Sequence, residues 1–345
     1  MRDSESPIRI LVYIGPHGDD AIGENLIKLP FMRAIRDAYP QGEISWIQGH
    51  HPLSFQSSLE PLARGLITEV IPDTALGNTW GSALGFTRLL PNHHFDVIID
   101  TQKHPKFTLA LRRISHDLFI SSTWSFALSS RCPKGRKLKS GTLTERLLQL
   151  LDLVKEGLTW PDSKADIPTE YVEAAEQALP SGQNYIGLAP GAGRKDSGKC
   201  WPLKNFITVA KQQIIMGRKP VFFLGPDELP WKEIIINEIP DVQIAPLELE
   251  AADGNTLSGP GVTVVLGGRL DVGVANCSGT GHMLAAGGAS MVSLYGPTSP
   301  TKFAPYTKDI TIIKAQDFGG SSIELIPVEV VNEGIESQLK EMALS

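Results

Sequence analysis

The segment Ile8–Ile14, IRILVYI, breaks its apolar run only with Arg9. A strand that faces water on one side alternates apolar and polar residues; this one does not, so both of its faces are covered, as in a parallel sheet flanked by helices. Parallel strands need long crossover connections, usually helical, and the chain supplies them. Apolar residues recur at helical spacing over Leu26–Tyr39, with Pro30 near the first turns and Pro40 closing the pattern. Further strands are predicted at Glu43–Gln48, Leu66–Ile71, Asp96–Asp100 and Asp117–Ser121, and a Leu-rich helix between Gly141 and Gly157. The stretch TWPDSKADIP then interrupts the pattern and places a linker over residues 157–183. Alternation restarts with strand Tyr185–Ala189, helix Leu203–Met216, strand Pro220–Leu224, helix Leu229–Glu238 and strand Val242–Ala245, and Val328–Leu344 reads as a closing helix. The expected class is α/β, with two doubly wound units enclosing a cleft. Residues 1–165 form the first domain, 166–325 the second, and 326–345 a C-terminal helix able to pack back on the first.

Within the second half, Asp271–Tyr306 places a short apolar strand, the turn Ser278-Gly279-Thr280-Gly281-His282 and a helix in immediate succession. A strand that delivers the chain into a helix N-terminus leaves several backbone N–H groups without partners, and these, with the helix dipole, attract phosphate. Ser278, Gly279 and Gly281 are small enough for a diphosphate to approach the backbone, and His282 adds a side-chain donor. A second glycine-rich segment, Gly187–Pro202, follows another strand and carries Gly191, Ala192 and Lys199. Two such segments imply a nucleotide diphosphate ligand.

The 345 residues, 41% hydrophobic and 20% charged, suffice for two cores. A formal charge of −6 argues against a general nucleic-acid binder, for which a clustered basic face is expected. Cys132, Cys200 and Cys277 are far apart in sequence and form no C-x-x-C pair, which argues against thiolate zinc and fits a reducing compartment. The N-terminal MRDSESPIRILVYIG is polar and then enters a strand too short for a signal sequence or membrane span, so a cytoplasmic location is expected. One dense basic run, Arg131–Lys139 (RCPKGRKLK), reads either as a solvated loop or as a contact for anionic lipid headgroups or a phosphorylated acceptor at the inner face of the cytoplasmic membrane.

Five phrases, IGENLIKLPFMRAIRDAYP, FDVIIDTQ, YIGLAPGAG with KCWPLKNF, VFFLGPDE and VANCSGTGHMLAAGGASMVSLYGPTSPTKFAPY, together resemble glycosyltransferase family 9, the ADP-heptose:lipopolysaccharide heptosyltransferases and their relatives. The resemblance runs in order from about Ile8 to Tyr306. It implies a GT-B fold of two Rossmann-like domains, the second holding the sugar nucleotide and the first the acceptor. The implied activity is inverting, metal-independent transfer of a heptose-type sugar, from a nucleotide diphosphate donor such as ADP-heptose, to a lipid-linked glycan acceptor in lipopolysaccharide biosynthesis, with no cofactor. By position, the family's Gly-Asp falls on Gly23-Glu24, which makes Glu24 the implied catalytic base. Asp19 and Asp20 are alternatives, because the preceding loop differs in length. Glu228 in LGPDE resembles the position that binds the nucleotide ribose, and His282 the family histidine. Where the family has Asn-Asp-Ser-Gly, this chain reads Asn276-Cys277-Ser278-Gly279, which removes a charge and an acceptor beside the diphosphate. That departure keeps open a second reading, a catalytically weakened paralogue that binds a sugar nucleotide or a partner.

Chemically, sugar transfer needs a base for the acceptor hydroxyl and donors for the leaving diphosphate. Glu24 fits the first role; Lys199, Ser278, Thr280 and the helix amides fit the second, and no Asp-x-Asp metal motif is positioned to hold a divalent ion. Asp100 and Gln102, which end the strand VIIDTQ, are candidates for the acceptor side or for closing a turn. A local pattern competes: GPHGDDAIG, residues 15–23, resembles the Pro-His-x-Asp-Asp motif of zinc-dependent deacetylases, with His17 and Asp20 as ligands and Asp19 as base. That chemistry also needs a distant histidine, for which His50, His51, His93 and His94 are the poorly matching candidates.

Overall fold

The computed structural model describes residues 6–14, 22–48, 54–72, 85, 89–193 and 198–344. It divides into two compact units, one of Met1–Ala21 with Lys28–Pro161, the other of Ile22–Ile27 with Asp162–Ser345.

The first unit is built on a parallel five-stranded sheet: β1 (Arg9–Tyr13), β2 (Glu43–Gln48), β3 (Glu69–Pro72), β4 (His94–Asp100) and β5 (Ser115–Ser121), in the order β3-β2-β1-β4-β5. The apolar run predicted to be covered on both faces is the central strand, and Ile10–Tyr13 are 0% exposed. Leu11, Tyr13, Ile47, Phe95, Ile98, Phe107 and Phe119 form the core of this unit. The helix expected over Leu26–Tyr39 is α2 (Leu29–Ala38), with Pro30 in its first turn, and a short helix α1 (Ile22–Leu26) precedes it. Proline lacks the N–H for the i−4 bond, and its ring would meet the carbonyl of Leu26, so a continuous helix through this point is ruled out. The remaining helices of the unit include α3 (Pro105–Arg112) and α4 (Leu143–Asp152).

The second unit opens with α5 (Thr169–Ala178). Its six-stranded parallel sheet uses β6 (Tyr185–Ala189), β7 (Lys219–Phe222), β8 (Gln243–Ile244), β11 (Val272–Asn276), β12 (Ser290–Tyr295) and β13 (Ile310–Lys314), in the order β13-β12-β11-β6-β7-β8; β9 (Glu248–Glu250) and β10 (Thr256–Ser258) form a separate antiparallel ribbon. One face packs on α6 (Leu203–Ile215), α7 (Trp231–Glu238) and α10 (Val328–Met342) through Phe206, Val209, Phe222, Ile235, Val331 and Ile335; the other packs on α5, α8 (Pro260–Gly267) and α9 (Gly279–Gly287) through Tyr171, Val262, Leu266 and Leu284. The closing helix α10 was expected to be able to pack back on the first domain. It is counted in the second unit, where buried Val331 and Ile335 belong to the sheet's own core and Arg218 pairs with Glu336. Among the described residues no helix is long and apolar enough to cross a membrane.

In each sheet the strand order reverses, between β1 and β4 in the first and between β6 and β11 in the second. Open parallel sheets bind ligands beyond the carboxyl ends of the strands at such points.

Candidate functional site

At the second switch point β11 ends in Asn276, and α9 begins three residues later. Asn276 is 1% exposed; its Oδ1 accepts from the Trp201 backbone N–H at 3.1 Å, and its Nδ2 donates to the Pro190 carbonyl at 2.7 Å. One side chain thus ties both ends of the glycine-rich segment to the strand that feeds α9. Sequence reasoning missed this clamp, although a lone amide at the end of an apolar strand was its visible signal. Trp201 is held in turn by its indole N–H to the Ile326 carbonyl at 3.0 Å and by edge-on packing against Phe206.

Ser278 is the N-cap of α9, its hydroxyl accepting from the Gly281 N–H at 3.4 Å. The cap uses a lone pair and leaves the hydroxyl proton able to donate to an anion. The N–H groups that open α9, at Gly279 and Thr280, face the same end of the helix, where the dipole favours negative charge. His282, one turn on, has its pKa pushed down to about 4 by burial. Near neutral pH it is therefore an uncharged imidazole, able to offer a hydrogen bond but no positive charge.

Lys199, predicted from the glycine-rich segment, comes close enough to Cys277 to act electrostatically on its thiol. Burial nevertheless raises that thiol above its ordinary range, against the Thr298 hydroxyl and the Lys199 charge, so Cys277 stays protonated and neutral. Of the same segment, Gly191 and Ala192 are buried. Gly191 lies against Glu228: a Cβ there would stand 2.7 Å from the carboxylate. Glu228 itself is 8% exposed and sits on the short turn after β7. The absence of a side chain at Gly191 is what lets an acidic group pack against the backbone that follows β6.

Beside the first turn of α9 lies a cavity of about 320 Å³, walled by Leu224–Pro226 after β7, Ala245–Leu247 after β8, Gly259, Pro260 and Thr263 at α8, Thr280 and Met283 of α9, and Ile22 of α1. Its size and mostly apolar walls suit a flat ring, and sequence reasoning did not foresee it, because its residues come from five separate segments. Glu24 is exposed on α1, which is counted in the second unit.

In the first unit, Asp100 is 0% exposed and accepts from Thr108 Oγ1 at 2.7 Å, Ser121 Oγ at 2.8 Å and the Gln102 N–H at 3.0 Å. Burial outweighs these three donors and pushes its pKa up to about 6. Asp100 thus closes the turn after β4, one of the two roles the sequence left open for it; half-buried Gln102 donates to the Ile14 carbonyl at 2.6 Å. His17, Asp19 and Asp20 lie outside the described residues, as do His50 and His51. His94 opens β4 and contacts Ser115 at 2.9 Å and Asp117 at 3.2 Å, whereas residue 15 follows the carboxyl end of parallel β1.

The chain shares 26% identity over 189 residues with lipopolysaccharide heptosyltransferase 2 of Salmonella typhimurium, 51% of this chain and 53% of that protein. It shares 29% over 139 residues with lipooligosaccharide heptosyltransferase 2 of Haemophilus influenzae, 40% of this chain and 39% of that protein. The matches thus span about half or less of these relatives. A family 9 glycosyltransferase from Veillonella parvula superposes with a TM-score of 0.68 at 20% identity, covering 97% of this chain and 98% of that one. The E. coli ADP-heptose lps heptosyltransferase II does so at 0.64 and 20%, covering 97% and 100%. These likenesses show the fold, that of the two-unit α/β GT-B class. Residues 84–322, well over half of the chain, match the profile of Glycosyltransferase family 9 (heptosyltransferase), and the chain belongs to that family.

Proposed function

We propose that this protein is an inverting, metal-independent glycosyltransferase that moves a heptose-type sugar from ADP-heptose to a lipid-linked lipopolysaccharide core acceptor. The observation that carries the reading is the juxtaposition at α9 of an anion-binding helix start, a lysine, a buried glutamate and an apolar cavity. The cavity takes the base, Glu228 accepts from ribose hydroxyls, and Ser278, Gly279, Thr280, Lys199 and neutral His282 donate to the diphosphate. One solved relative is an E. coli heptosyltransferase with ADP, which supports the choice of base.

In the reaction Glu24 takes the proton of the acceptor hydroxyl as its oxygen attacks the anomeric carbon. The bond from that carbon to the diphosphate breaks, ADP leaves with the electron pair, and the carbon inverts. The charge that grows on the diphosphate is met by Lys199 and the α9 amides. Neutral Cys277 adds none, which favours, as a second reading, a binding protein of weak turnover. Glu24→Gln separates the parts: transfer is expected to fall by a factor on the order of 10²–10⁴, the usual contribution of a positioned base, while ADP affinity stays as in the wild type. Unchanged transfer contradicts the role of Glu24 and moves it to Asp19 or Asp20.

The cytoplasmic face of the membrane is where such an acceptor is met. In the basic turn Lys134, Lys137 and Lys139 are exposed; the side chain of Arg136 donates to the Ser125 carbonyl at 2.9 Å, and that of Arg131 to the Leu153 and Val154 carbonyls at 3.0 Å. The arginines shape the turn and the lysines are left to meet phosphate.

A further inference from the structure

Of the residues around α9, those of α1 are the least expected, since they stand far from it in sequence. Ile22 walls the cavity together with Thr280 and Met283. Its neighbour Gly23 lies against the first residue of α9: a Cβ added at Gly23 would stand 3.0 Å from Gly279 Cα, 3.5 Å from Gly279 N and 3.6 Å from His282 Cδ2. The reverse substitution is easier, since a Cβ at Gly279 would meet Gly23 N at 3.5 Å, an ordinary contact. Gly23 is thus the position at which even one methyl group forces a displacement of a few tenths of an ångström.

The direction of that displacement follows from how the two elements are held. The start of α9 is fixed by the strand before it, by the Asn276 clamp and by the Ser278 cap. α1 is a helix of only five residues, ending in a turn at Ile27. The stiffer element stays and α1 yields, which moves Glu24, the next residue along. We propose that Ile22–Ile27 is a working part of the donor site, Ile22 closing the wall of the base cavity and Gly23 acting as a positioning residue whose contact with Gly279 sets where the Glu24 carboxylate stands. The inference rests on the donor reading given above and adds to it two residues with separable tasks: one governs nucleotide affinity, the other the rate of the chemical step.

The test uses the full chain, with ADP titrated by calorimetry and transfer from ADP-heptose followed kinetically. Ile22→Ala removes apolar wall, and ADP dissociation constant and donor KM are expected to rise about three- to tenfold, the loss appearing there rather than in kcat. Gly23→Ala is expected to lower kcat about tenfold, since misplacement on the order of 1 Å costs about a hundredfold, with ADP affinity within about twofold of wild type; Gly23→Val, which forces a larger shift, loses more. Melting temperatures remain those of the wild type. Wild-type constants in both variants overturn the proposal, as does a parallel fall of affinity, kcat and melting temperature, which marks a merely structural contact. Failure of the wild type to bind ADP overturns the donor reading and this inference with it, whereas wild-type binding with unaffected variants overturns the inference alone.

Discussion

Two buried polar residues show how far single side chains organise this molecule. Asn276 satisfies two backbone groups that would otherwise be orphaned beneath the glycine-rich segment. Asp100 stores an unfavourable charge: its folded pKa of about 6 lies above the ordinary 3.8. A carboxylate whose folded pKa is raised binds its proton more readily when folded. Its stabilising contribution is therefore full below pH 3.8 and is lost as pH rises through about 6. The shift corresponds to a ceiling of about 3 kcal/mol. Urea unfolding of the wild type and Asp100→Asn at pH 7 and pH 4.5 is expected to show the difference between them moving by about 2 kcal/mol in favour of the wild type at the lower pH. A pH-independent difference contradicts the assignment. At this scale the sequence revealed residue types but not their surroundings. Asp100 ended a strand, as a cleft residue would, yet the hydroxyls of Thr108 and Ser121 that enclose it come from a helix and a strand further along the chain.

Elements were legible where periodicity was strong and one rule decided their ends. β1 was recognisable because an apolar run broken only by Arg9 has no alternative to two-sided burial, and α2 because Pro30 fixes its start. The five-residue α1 before it was not foreseen, because so short a helix carries no periodicity of its own. The Ser278 turn reads as a candidate anion site from its small residues alone, and the structure shows Ser278 capping the helix there. The cavity was not foreseen, because shape made by five segments leaves no local pattern. The basic turn is legible in composition, and the structure assigns its members different tasks. Replacing Lys134, Lys137 and Lys139 by Gln is expected to weaken binding to vesicles containing anionic lipid at least tenfold, given about 1 kcal/mol per charge near such a surface. Vesicle binding equal to that of the wild type removes the turn from any membrane role.

For the whole molecule, two parallel sheets each place a reversal of strand order where a ligand is to be held, and the functional proposal follows from which side chains reach those points. The second unit holds the predicted Gly191, Lys199, Glu228, Ser278 and His282, which we propose form one donor site although they derive from segments separated by up to about ninety residues. That convergence, rather than any single motif, is the central claim. Its most direct test is calorimetric titration of the purified protein with ADP, UDP and GDP, with and without a metal chelator. The account predicts saturable binding of ADP in preference to UDP and GDP, unchanged by the chelator. Absence of nucleotide binding, or binding abolished by chelation, contradicts it.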